Sequence, residues 1–86
     1  MNIRIEYCVV WNYEPSALSL REEISLAFPG VMASPVSGDR GSFEVFVNEF
    51  QIFSKLDLDR FPNEGEIINL INLYIENEGN VIAGEI

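Results

Sequence analysis

Apolar and polar residues alternate from the start of the chain. Ile3, Ile5 and Tyr7 interleave with Arg4 and Glu6, and Cys8, Val9 and Val10 then run together. A period of two predicts a strand over residues 3–10, and its apolar end predicts burial on both faces. Polar residues from Asn12 to Ser16 surround Pro15. They are capping candidates, and proline suits a first helical turn because its missing N–H had no partner there. Ala17, Leu20, Ile24, Ala27 and Phe28 then recur at spacings of three and four, with Arg21, Glu22, Glu23 and Ser25 between them. That is one buried face of a helix, which Pro29-Gly30 should stop.

Residues 31–36 predict a weaker strand at the margin of a sheet, because Pro35 has no N–H to donate to a ladder. After the turn cluster Ser37-Gly38-Asp39-Arg40-Gly41 comes a clear β run over 42–47, in which Phe43, Val45 and Val47 share a face. Asn48-Glu49 is a tight connection into a strand over 50–56, so the two strands form an antiparallel hairpin. A polar loop from Asp57 to Pro62 leads to Asn63, with Glu66 three residues later as in a capping box. The stripe Ile67, Ile68, Ile71, Tyr74 and Ile75 predicts a second helix. Gly79 should end it, leaving residues 80–86 as a short tail that adds a strand, docks or frays. The order β-α-β-β-β-α contains one crossover, which implies a parallel pair, and one hairpin. The expected fold is therefore α+β: a mixed four-stranded sheet with two helices packed on it, one domain over 1–79 and a tail over 80–86.

Length and charge narrow what such a domain can do. A chain of 86 residues buries only roughly 60–65 % of its unfolded surface, so any site must be shallow. With 48 % hydrophobic residues it is too apolar for a disordered chain, despite a net charge of -9. Fourteen acidic residues against five basic ones repel phosphate backbones and anionic headgroups, so nucleic acid and membrane are not expected partners. The apolar-rich stretch from Ile67 to Ile75 is interrupted by Asn69 and Asn72 and falls short of the ~20 residues that span a bilayer. The alternating start lacks the apolar block of a signal peptide, and a cytoplasmic location is expected.

There is one cysteine and no histidine. An intramolecular disulfide, the usual zinc ligand sets, and serine–histidine or cysteine–histidine catalysis are thereby excluded. No metal is expected: the spacing of Glu22-Glu23, Asp57, Asp59, Glu64, Glu66, Glu76 and Glu78 matches no calcium loop, and these residues read as a solvated face.

The run Glu6-Tyr7-Cys8-Val9-Val10-Trp11-Asn12-Tyr13-Glu14-Pro15 resembles the opening signature of the selenoprotein W family, also called the Rdx family of thioredoxin-like proteins. Four further pieces fall in that family's order: Ala27-Phe28-Pro29-Gly30, the strand Gly41 to Val47, Ile52-Phe53-Ser54-Lys55, and Arg60-Phe61-Pro62. The resemblance covers Ile3 to Ile75. It implies a thioredoxin-like fold with a redox loop after the first strand, carrying Cys-x-x-Cys or Cys-x-x-selenocysteine, and thiol oxidoreductase activity, with glutathione as a candidate partner and no resident cofactor. The chain departs from that pattern at two places. Cys8 occupies the first redox position, but Trp11 stands in the second, and Glu49 stands in the hairpin turn where the family has glycine.

A dithiol works because the second thiol resolves the mixed disulfide formed by the first. Trp11 has no such chemistry, which leaves at most monothiol exchange at Cys8 with glutathione or a protein. A helix N-terminus favours the thiolate. Glu6 and Glu14, with no Lys or Arg between Glu6 and Leu20, oppose it, so a sluggish nucleophile is expected. The other reading of Cys8 is a small buried hydrophobe. Trp11 either fills the space left by the second redox residue or, with Tyr13 beside it, anchors a partner. Val9 and Val10 read as packing, or as the rest of a loop that binds another protein or a second copy in a homodimer. Full burial of the Cys8 sulfur would favour the binding reading.

Overall fold

The computed structural model describes residues 1–84. Strand β1 (Asn2–Cys8) is followed by helix α1 (Glu14–Ala27), then by β2 (Met32–Gly38), β3 (Phe43–Val47) and β4 (Phe50–Ser54). A one-turn helix, α2 (Lys55–Leu58), precedes the long helix α3 (Glu66–Gly84). The sheet order is β2-β1-β3-β4, with β1 parallel to β2 and antiparallel to β3, and β3 antiparallel to β4. This is the α+β mixed sheet expected from the pattern, with Pro35 on an edge strand as its missing donor requires.

The core lies on one side of the sheet. Ile3 and Ile5 of β1, with Phe43, Val45 and Val47 of β3, are buried against Ala17, Leu20 and Ile24 of α1 and Ile67 and Ile71 of α3. Alternation sends Arg4, Glu6 and Phe46 to the other face, where Arg4 bonds Glu6 at 2.9 Å and its guanidinium lies 4.2 Å from the Phe46 ring.

The structure corrects several boundaries. β1 ends at Cys8 rather than Val10, and Val9 and Val10 are exposed rather than buried on both faces. None of the polar residues before α1 caps it: Tyr13 is the N-cap and makes no side-chain bond, while Pro15 sits in the first turn as expected. β2 runs on to Gly38. β4 stops at Ser54 because the Ser54 hydroxyl accepts from the Asp57 N–H at 3.1 Å and starts α2, where a continued strand was expected.

The buried carboxylate of Glu44 holds that turn. It accepts from the N–H groups of Phe43 and Leu56, the Gln51 amide and the Ser54 hydroxyl, so a charge under the sheet end has the partners it needs. In the hairpin, Asn48 and Glu49 both have positive φ, at 47° and 71°. Asn48 and Glu49 share the left-handed geometry, because a two-residue turn matched to strand twist needs both residues there.

Helix α3 begins at Glu66, whose carboxylate accepts from the Asn63 N–H at 2.8 Å, one half of the expected box. It passes through Gly79 to Gly84 instead of ending at Gly79, since one interior glycine costs only ~1 kcal/mol and does not break a helix. The expected tail at 80–86 is therefore helical as far as 84, and its last two positions lie outside the described residues. No helix among the described residues is long and apolar enough to cross a membrane.

Candidate functional site

The chain turns sharply after β1. Asn12 donates its N–H to the Val9 carbonyl at 2.9 Å, and Tyr13 donates to the Cys8 carbonyl at 3.1 Å. Asn12 takes the left-handed conformation (φ 59°), which asparagine tolerates better than most residues. The turn carries Val9, Val10 and Trp11 outward, at 57 %, 73 % and 51 % exposure, while Cys8 beneath them is only 1 % exposed. The loop thus shows solvent an apolar surface and hides its one nucleophile.

A second loop, between β2 and β3, closes the site from the other side. The Cys8 N–H donates to the Ser42 carbonyl at 2.9 Å, so β1 and β3 stay joined up to the cysteine. Gly41 has a φ of 78°, and a side-chain carbon there would sit 3.0 Å from the Trp11 ring. The indole is laid against that glycine backbone, and a larger residue would lift it.

Burial pushes the Cys8 thiol up. The backbone N–H groups of Gly41, Trp11 and Val10, with the charge of Arg40, outweigh that effect and leave it below its ordinary value. The Trp11 N–H donates to the sulfur at 3.4 Å. The expectation that acidic neighbours hold the thiolate off is therefore reversed in direction. Glu6 is engaged by Arg4, and Glu14 faces the Tyr7 hydroxyl at 3.4 Å. Two of the groups that favour the thiolate, the Gly41 N–H and the Arg40 charge, come from the β2–β3 loop, about thirty residues away in sequence.

An aromatic row supports the loop. Trp11 meets Tyr13 edge-on with centroids 6.2 Å apart, Tyr13 meets Phe61 at 4.7 Å, and Phe61 meets the buried Phe43 at 5.2 Å. Lys55 Nζ lies 5.3 Å from both the Tyr13 and the Phe61 rings. The four residues expected to form a binding loop, Val9, Val10, Trp11 and Tyr13, are together, and Cys8 lies under them.

Sequence reasoning missed Gly41, Arg40 and Phe61. The turn cluster around Gly38 and Gly41 was visible as a turn, but which loop it would approach was not. No group of three or more acidic, cysteine or histidine side chains suited to a metal occurs among the described residues.

Comparison with known proteins fits this arrangement. The model of the Rdx family matches residues 2–73. Migration and invasion enhancer 1 of Bos taurus is 32 % identical over 71 residues, which is 83 % of this chain and 62 % of that protein. The Mus musculus counterpart is 31 % identical over the same shares. The chain thus spans under two thirds of the length of these curated relatives. Among solved structures, a selenoprotein W-related protein from Vibrio cholerae superposes with a TM-score of 0.74 at 27 % identity, covering 86 % of this chain and 95 % of that one. A protein from Bordetella parapertussis shares the fold, with a TM-score of 0.81 at 19 % identity over 85 % and 95 % of the two chains.

Proposed function

The chain belongs to the Rdx family, a redox-related group of thioredoxin-like proteins, and from that premise we propose that it works as a binding module rather than a dithiol reductase. The surface is the loop of Val9, Val10 and Trp11 with Tyr13, holding another protein or a second copy of this chain. One observation carries the proposal: Cys8 is 1 % exposed while the three residues after it are each about half exposed or more. A disulfide substrate must reach the sulfur in line, which a closed loop prevents, whereas exposed tryptophan and aliphatic side chains on a short turn suit an interface. Trp11 in the second redox position removes the resolving thiol as well.

The test compares the wild type, Trp11→Ala and Cys8→Ser as immobilised baits in an extract of the native cell. Partners kept by Cys8→Ser and lost by Trp11→Ala support the module. Partners lost by Cys8→Ser alone overturn it.

A second reading is favoured by the N–H groups around the sulfur. A Cys8 thiolate attacks one sulfur of oxidised glutathione, a Cys8–glutathione disulfide forms, and one glutathione thiolate leaves. An external thiol then reverses the step. On this reading, oxidised glutathione adds one glutathione to the native chain at Cys8, and Cys8→Ser takes up none.

A further inference from the structure

A groove of about 450 Å³ lies between the first turns of α1 and α3, apart from the Val9–Trp11 turn. Helix α1 packs over β1 and β2 and α3 over β4, and the groove lies where the two helices begin. Its floor is apolar, the half-buried Phe61 ring lying over the buried Leu20, Phe43 and Ile67, and its rim carries Glu23 on α1 and Glu64 just before α3. The lining contains these two carboxylates and no lysine or arginine. Neither glutamate is ion-paired among the described residues. Arg60 is forked onto Glu66, and Lys55 lies over the Tyr13 and Phe61 rings.

We infer that this groove receives a short peptide segment of another protein, one bulky apolar side chain flanked by lysine or arginine. The volume falls in the range of sites that enclose a few side-chain-sized groups. The floor would bury the apolar anchor, and the rim would pair with the flanking cations. The net charge of -9 sets the sign of the field, so a basic segment is attracted before contact and an acidic one is repelled. A second copy of this chain, equally acidic, is disfavoured as occupant for the same reason.

The test uses a fluorescein-labelled heptapeptide, Lys-Leu-Lys-Phe-Lys-Leu-Lys, and a control peptide with serine in place of its three apolar residues. Fluorescence anisotropy at low and at physiological salt reads the affinity. The first peptide should bind, more weakly as salt rises, and the serine peptide at least tenfold more weakly. Ser19→Trp, an exposed position on the rim, fills the groove and should cost tenfold or more. Glu23→Lys with Glu64→Lys should cost roughly tenfold by turning two attractions into repulsions.

Glu76→Lys with Glu78→Lys changes net charge equally, roughly 15 Å or more along α3 from the rim, and should cost less than threefold. Equal binding of the two peptides, equal weakening by the distant pair, or unchanged binding in Ser19→Trp would overturn the inference. These outcomes leave the Trp11→Ala comparison untouched, so the groove and the loop stand or fall separately.

Discussion

Glu66→Gln isolates one charge at the start of α3. The Glu66 carboxylate takes two bonds from Arg60, at 2.7 and 2.9 Å, and one from the Asn63 N–H at 2.8 Å. The Arg60 bonds above all, then the N–H, hold it at about 2 against an ordinary 4.5. Full conversion of that difference gives about 3 kcal/mol. Arg60 is 42 % exposed, so screening by water reduces the contribution to ~1–2 kcal/mol, in line with a helix cap reinforced by an ion pair.

The sign follows from linkage. A carboxyl depressed in the folded state adds stability that is complete above 4.5 and is lost as the pH falls toward 2. Urea unfolding followed by circular dichroism at pH 7 should show Glu66→Gln less stable by ~1–2 kcal/mol, a midpoint shift on the order of 1 M. More than half of that difference should be gone by pH 3, because the glutamine has no charge to lose. A gap between wild type and variant that stays constant from pH 7 to pH 3 would refute the reasoning, since it would trace the effect to shape rather than charge.

Two other substitutions test the turns. Glu49→Gly relieves a left-handed glutamate, which costs about 1 kcal/mol, and gives up an exposed pair with Arg4 that contributes little; the variant should gain roughly 0.5–1 kcal/mol in urea unfolding, and a loss would show that the ion pair dominates. Gly41→Ala places a carbon 3.0 Å from the Trp11 ring at a φ of 78°, so it should cost ~1–2 kcal/mol, shift the tryptophan emission and speed Cys8 alkylation several-fold; unchanged alkylation would show that the indole does not seal the cysteine.

The strands and helices were legible because each buries one face and writes that face into the sequence. Ile3, Ile5, Phe43, Val45 and Val47 alternate, while Ala17, Leu20 and Ile24 step along a helix, and all eight are in the core. Element ends were less legible, since they depend on contacts between distant residues. The Ser54 hydroxyl on the Asp57 N–H is a local cap that starts α2, but the Glu44 carboxylate that also takes the Leu56 N–H lies ten residues back from Ser54 and no pattern near Ser54 announces it.

The candidate site divides the same way. Cys8, Trp11 and Tyr13 were visible as a turn after a strand. The Val10 and Trp11 N–H groups belong to that same turn, but the Gly41 N–H and the Arg40 charge that join them at the sulfur come from the β2–β3 loop, whose approach depends on Gly41 lacking a side chain. Glu6 and Glu14, adjacent in sequence, suggested the wrong sign for the thiol because both find partners elsewhere.

Whether the loop closes over Cys8 is tested most directly by the rate at which oxidised glutathione modifies it at pH 7, followed by mass spectrometry on the native chain, on Trp11→Ala and on the urea-unfolded chain. The closed-loop account predicts that the native chain reacts at least tenfold more slowly than the unfolded one, and that Trp11→Ala recovers much of the difference. A native chain that reacts as fast as the unfolded one would contradict it and make Cys8 a working monothiol.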